Sequence, residues 1–125
     1  VDEDVVILDR IYLADGEPIN KTTDYLPLKY FPDIMSYDFS KHSLFEVLEN
    51  DYNVKITKAE RTIEAVIADD HIAKLLGLKK GYPILLFRGV TYGYIGGEEV
   101  PIESYKSYYR SDDRRFSITQ VRVEK

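Results

Sequence analysis

Glu103, Tyr105 and Tyr109 lie two and six residues apart in a run that alternates as a strand does, just after a Gly96-Gly97 turn. Successive strand side chains point to opposite faces, so these three share one face. A carboxylate accepts hydrogen bonds and a phenol both donates and accepts, so that face can hold a small hydroxyl-rich or charged ligand. A half-exposed strand whose tyrosines pack by their rings accounts for the same residues. Arg10 and Tyr12 share a face of an earlier strand, and a guanidinium offers a planar two-donor edge to an anion. The alternative for Arg10 is an ion pair with Asp9 or Asp15. Ser43 opens an expected helix, where unsatisfied N–H groups and the helix dipole favour a phosphate or carboxylate; the alternative is a plain cap.

Signatures of catalysis are sparse. The chain has no G-x-S-x-G elbow, no G-x-x-x-x-G-K-[ST] loop and no G-x-G-x-x-G fingerprint. His42 and His71 form no spaced ligand pair and sit beside expected helix starts, and the absence of cysteine removes thiolate metal sites, disulfides and cysteine catalysis. No catalytic residue, metal or cofactor is therefore assigned.

The elements that carry these residues follow from periodicity and turn chemistry. Val5-Val6-Ile7-Leu8 leads through Arg10 and Tyr12 into an Ala14-Asp15-Gly16-Glu17 turn, and Pro18-Ile19 opens a second run that ends near Tyr25-Leu26-Pro27, a hairpin signal. A short helical turn or loop fits the aromatic stretch from Leu28 to Phe39. Ser43-Leu44-Phe45-Glu46 has the form of a capping box, predicting a helix that buries Leu44, Val47 and Leu48. From Val54 to Ile67 the alternation predicts a long strand with Ala59, Ile63, Ala65 and Ile67 on one face and Lys58, Glu60, Thr62 and Glu64 on a wet or ligand-facing side. Asp69 and Gly77 bracket a short helix, Ile84-Leu85-Leu86-Phe87 reads as a central strand, and Phe116 to Val123 as a last one. Pro18-Ile19 to Tyr25 and Pro101-Ile102 to Tyr108 share one spacing after a Gly-Glu turn, an echo of two related hairpins.

At 125 residues the chain is one domain, with a formal net charge of −5 that argues against duplex DNA as a direct partner. Arg114-Arg115 is interleaved with Asp112 and Asp113. No apolar run approaches the ~20 residues that span a bilayer, so no membrane partner is expected.

Leu13-Ala14-Asp15-Gly16-Glu17-Pro18-Ile19, Tyr25-Leu26-Pro27, Ser43 to Leu48 and Tyr108-Tyr109-Arg110-Ser111-Asp112 occur in that order, joined by Thr62-Ile63-Glu64-Ala65 and Ala73-Lys74-Leu75-Leu76-Gly77. Together they resemble a UTRA domain, the effector-binding module of HutC-type GntR bacterial transcription regulators. The resemblance implies an α+β fold of the chorismate lyase kind across residues 1–125, a mostly antiparallel sheet with a few helices against one face. It also implies a small-molecule effector (a sugar, phosphosugar or other small anion), a homodimer, a cytoplasmic location, and DNA binding only through a winged-helix domain N-terminal to this chain. In the sugar-phosphate-responsive members that it resembles, Arg10 matches the first arginine of an R-x-R pair and Ser43 the serine that contact the phosphate. Glu103 and Tyr109 match a sugar-contacting pair six apart. Tyr12 occupies the second arginine's place and Phe45 that of a helix tyrosine, and both departures remove polar capacity from a phosphate site. Because the fold resembles chorismate lyase, an enzyme acting on a carboxylate-bearing substrate is the competing reading, with Arg10, Arg88 and Glu103 as its residues.

Overall fold

Two tight turns organise the chain. The structure, a computed structural model, describes residues 4–111. In the first hairpin, β1 (Val5–Ala14) passes into β2 (Glu17–Pro27) through Asp15 and Gly16, both at positive φ (52° and 80°), the backbone that an Asp-Gly turn supplies at least cost. In the second, β4 (Pro83–Ile95) turns at Gly96 and Gly97 into β5 (Glu98–Arg110). Between the hairpins come a 3-10 turn at Ile34–Ser36, α1 (Leu44–Asn50), β3 (Lys55–Ile67) and α2 (Asp70–Leu76). All neighbouring strands pair antiparallel in the order β1-β2-β5-β4-β3, an α+β fold as the sequence implies.

The echo between the hairpins has a geometric counterpart. Each has one register shift, leaving Ile19 between the Tyr12↔Asn20 and Leu13↔Pro18 pairs, and Ile102 between Thr91↔Glu103 and Tyr92↔Pro101. Where β2 meets β5, Thr23 faces Lys106, the equivalent position of the second stretch, so a local two-fold relates the hairpins. An extra residue at a bulge breaks strict alternation, which lets the consecutive Ile102 and Glu103 both be buried.

Pairing defines a front face carrying Val6, Leu8, Arg10 and Tyr12 of β1, Asn20, Thr22, Asp24 and Leu26 of β2, Glu103, Tyr105, Ser107 and Tyr109 of β5, and Thr91 of β4. At one end of it, Leu44, Val47 and Leu48 of α1 pack with Leu8, Leu26, Phe31, Ile34 and Ile102. The second helix lies on the back, where Ile72, Ala73 and Leu76 meet Ala68 and Ile84. The helices thus flank opposite faces rather than one. Ile84-Leu85-Leu86-Phe87 explains why: a continuous apolar run in an interior strand presents apolar groups on both sides.

Local signals were met unequally. Asp69 caps α2 by accepting from the Ile72 N–H at 2.9 Å, and Gly77 closes it at φ 68°. Ser43 occupies the cap position of α1, but its hydroxyl makes no cap hydrogen bond, so the expected capping box does not close. Burial of Leu44, Val47 and Leu48 anchors that helix instead. The apolar side of β3 is largely open, with Ile63 50% and Ile67 73% exposed, because among the described residues β3 is an edge strand beyond the reach of α1. The expected strand from Phe116 to Val123 lies outside the described residues.

Candidate functional site

Beyond the apolar end under α1, the front face turns polar. Asn20, Thr22, Asp24, Thr91, Glu103 and Ser107 are all buried there; among the described buried polar residues only Thr23 is on the other side. Burying polar groups is costly unless they are paired, and these are. Arg10 Nη2 donates to Asp24 Oδ2 in an ion pair whose side chains are 20% and 3% exposed. Thr91 Oγ1 donates to Glu103 Oε1 at 2.9 Å, Thr22 and Ser107 share a hydroxyl contact of 2.6 Å, and Thr22 Oγ1 donates to Asn20 Oδ1 at 3.1 Å.

The two carboxyl groups at the centre, Asp24 and Glu103, are hydrogen-bonded to each other. Burial, reinforced by the Asp24 hydrogen bond and charge, pushes the Glu103 carboxyl up to about 8, while Thr91 and Arg10 pull it the other way. Glu103 is therefore mostly neutral at pH 7, a carboxylic acid that can donate as well as accept. Arg10 Nε is buried with no hydrogen-bond partner in the protein.

Aromatic side chains surround it. Tyr12 lies beside the Arg10 guanidinium, 5.5 Å from ring centre to Cζ, and burial raises its phenol above the usual range. The Tyr105 phenol is raised for the same reason, with Arg61 opposing. Its ring crosses Gly89 on β4 so closely that a Cβ there would stand 2.5 Å from Tyr105 Cε1. Tyr109 packs on Phe87 with ring centres 5.0 Å apart.

The fold thus brings Arg10, Tyr12, Glu103, Tyr105 and Tyr109 to one face. It does not join Ser43 or Phe45 to them: both are exposed at the start of α1, and no described hydrogen bond or ion pair links either to the cluster. Arg10 pairs with neither Asp9 nor Asp15, its partner being Asp24. The arginines of the enzyme reading are separated as well, since Arg88 lies on the back, 3.3 Å from Glu64, while Arg10 and Glu103 face front. Asp24, Thr91, Asn20, Thr22 and Ser107 were missed by the sequence reading. A surface hollow of about 590 Å³ is lined by Tyr25, Thr62, Arg88, Tyr92 and Lys106 of the back and is also bordered by Tyr105, but it involves neither Arg10 nor Asp24. We place the candidate site on the front despite that hollow, because among the described residues only there do buried charge and an unpartnered donor coincide.

The UTRA domain family matches residues 1–115, and the chain belongs to it. It is 28% identical over 109 residues to the HTH-type transcriptional repressor NagR of Bacillus subtilis, covering 87% of this chain and 43% of that protein. Among solved structures, the effector domain of PhnF from Mycobacterium smegmatis superposes with a TM-score of 0.82 at 26% identity, over 94% of this chain and 70% of that one. A GntR-family transcriptional regulator from Enterococcus faecalis gives 0.82 at 27%, over 95% and 83%. The chain spans less than half the length of the NagR relative. It is a UTRA-type effector-binding domain of the GntR/HutC class.

Proposed function

We propose that the front face binds a small, hydroxyl-rich metabolite and that binding alters the DNA affinity of an attached helix-turn-helix domain. The observation that carries this reading is the buried Arg10–Asp24–Glu103 constellation, with Arg10 Nε unpartnered beside a neutral carboxyl group. Its donors and acceptors match hydroxyls, and the flanking Tyr12, Tyr105 and Tyr109 suit the faces of a sugar ring. Transmission needs only that the effector bind one arrangement of the whole regulator more tightly; a coupling of about 1–3 kcal/mol changes operator affinity severalfold to a hundredfold. The domain acts by binding rather than turnover, and the regulator works in the cytoplasm.

The regulator is a homodimer in this proposal. Support comes from the two strands that are edges among the described residues, with apolar rows open to water, Val5, Ile7, Ile11 and Leu13 on β1 and Ile63 and Ile67 on β3.

A thermal-shift screen of free sugars, phosphosugars, amino acids and aromatic acids tests the reading. A ligand at a hundredfold excess over its Kd raises stability by about 2.7 kcal/mol. A stabilising sugar that is recovered unchanged after incubation supports it. Stabilisation by amino acids or aromatic acids alone, or conversion of the ligand to product, contradicts it.

A further inference from the structure

Arg10 is the cation of the cluster, and although a fifth of its side chain is in water its guanidinium is paired with an internal carboxylate. In a guanidinium, Nη2 belongs to both two-donor edges, the one it forms with Nε and the one it forms with Nη1, and a phosphate or carboxylate is gripped by such an edge. Asp24 Oδ2 stands on that shared nitrogen. Nε and Nη1 keep their N–H groups, and separate donors of this kind suffice for hydroxyl oxygens, but the guanidinium charge is already offset by Asp24. Asp24 itself is almost fully buried, set on β2 between Leu8 of β1 and Tyr105 of β5, so it is held where it is by both neighbouring strands. Glu103 cannot relieve it of this role, because its carboxyl is hydrogen-bonded to Asp24 and Thr91. An incoming anion would meet a like charge at the point where it needs the guanidinium.

We propose that Asp24 is a built-in counter-anion that occupies Arg10 and makes the front-face site select uncharged ligands over anionic ones. Asp24 is thus a specificity determinant, excluding phosphorylated compounds and leaving their neutral parents free to bind. The inference rests on the front face being the effector site, and it sharpens the class of effector from hydroxyl-rich to hydroxyl-rich and uncharged.

Inorganic phosphate is the direct probe, because it reports on Arg10 without requiring the effector to be known. Its affinity is measured at pH 7 by calorimetry on the wild-type chain, on Asp24→Asn and on the double variant Arg10→Ala with Asp24→Asn, each checked for folding by circular dichroism. Asn keeps the size of Asp and removes the charge. The expected result is phosphate binding at least tenfold tighter in Asp24→Asn than in wild type, with the gain lost in the double variant. Equal phosphate affinity in wild type and folded Asp24→Asn overturns the proposal. A second measurement needs only wild type and Arg10→Ala: phosphate is expected to raise the wild-type Tm no more than chloride at equal ionic strength. A phosphate-specific rise that Arg10→Ala abolishes shows Arg10 already open to anions and also overturns it. Neither outcome bears on whether a metabolite is sensed, which the ligand screen decides separately.

Discussion

Tyr105 lies against Gly89, with room between the two for a hydrogen but not for a methyl group. Gly89 has no positive φ, so it is the ring on the paired strand, and not the backbone, that calls for glycine here. Gly89→Ala must push the Tyr105 ring outward. Because that ring is only partly buried, the stability loss should fall near the low end of overpacking costs, about 1 kcal/mol, while the front face is reshaped. Urea unfolding of Gly89→Ala, Tyr105→Ala and the double variant checks it: the two effects should be strongly non-additive. Additivity would mean that the ring does not rest on Gly89.

The Glu103 carboxyl carries a pH signature with a definite sign. Its folded-state value of about 8 lies above the 4.5 of the unfolded chain, so between those values the folded state holds more protons and stability falls as pH rises. Relative to Glu103→Gln, wild type should lose stability from about pH 4.5 to about pH 8 and level off beyond. The slope is bounded by about 1.4 kcal/mol per pH unit for a single group. Parallel stability–pH curves for the two proteins would remove the neutral carboxyl from the account.

Arg10→Ala strands a buried Asp24 next to Glu103. Removing one partner of a buried pair costs roughly 3–5 kcal/mol, and since Arg10 keeps a fifth of its side chain in water the loss should be at the lower end, about 3 kcal/mol. Arg10→Ala combined with Asp24→Asn should recover part of it. Chemical denaturation of both variants decides, and a double variant less stable than the single one would contradict the pairing.

The two helix caps should respond differently to the same substitution. Asp69→Ala removes an acceptor for the Ile72 N–H and should cost about 1 kcal/mol. Ser43→Ala removes no cap bond and should stay within about 0.5 kcal/mol of wild type in the same unfolding assay.

How much of this was legible in the sequence differs between elements and site. The hairpins declared themselves through Asp15-Gly16 and Gly96-Gly97, and α2 through Asp69 and Gly77, because each signal is local and carries its own backbone requirement. Alternation also placed Arg10 with Tyr12, and Glu103 with Tyr105 and Tyr109. Asp24 was hidden. It sits in Asn20-Lys21-Thr22-Thr23-Asp24, which is polar on both faces, so period two gives no inward side until β1 and β5 pair with it. The partnership of Thr91 with Glu103 depends on the bulge at Ile102, a register detail no single strand reveals. The capping-box pattern at Ser43 was correct for the backbone and wrong for the hydroxyl, because packing of Leu44, Val47 and Leu48 already fixes the helix start.

The central claim is that the front face, and not the hollow behind it, receives the effector. The most direct measurement takes the most stabilising free sugar from the thermal-shift screen and titrates it calorimetrically into wild type, Glu103→Gln, Tyr109→Phe and Arg88→Ala. Losing or altering one neutral hydrogen bond costs about 0.5–1.5 kcal/mol, so Glu103→Gln and Tyr109→Phe should each weaken binding by roughly two- to tenfold. Arg88→Ala, on the back, should bind as wild type does. Unchanged affinity in both front-face variants together with a loss in Arg88→Ala would contradict the account and move the site to the other side of the sheet.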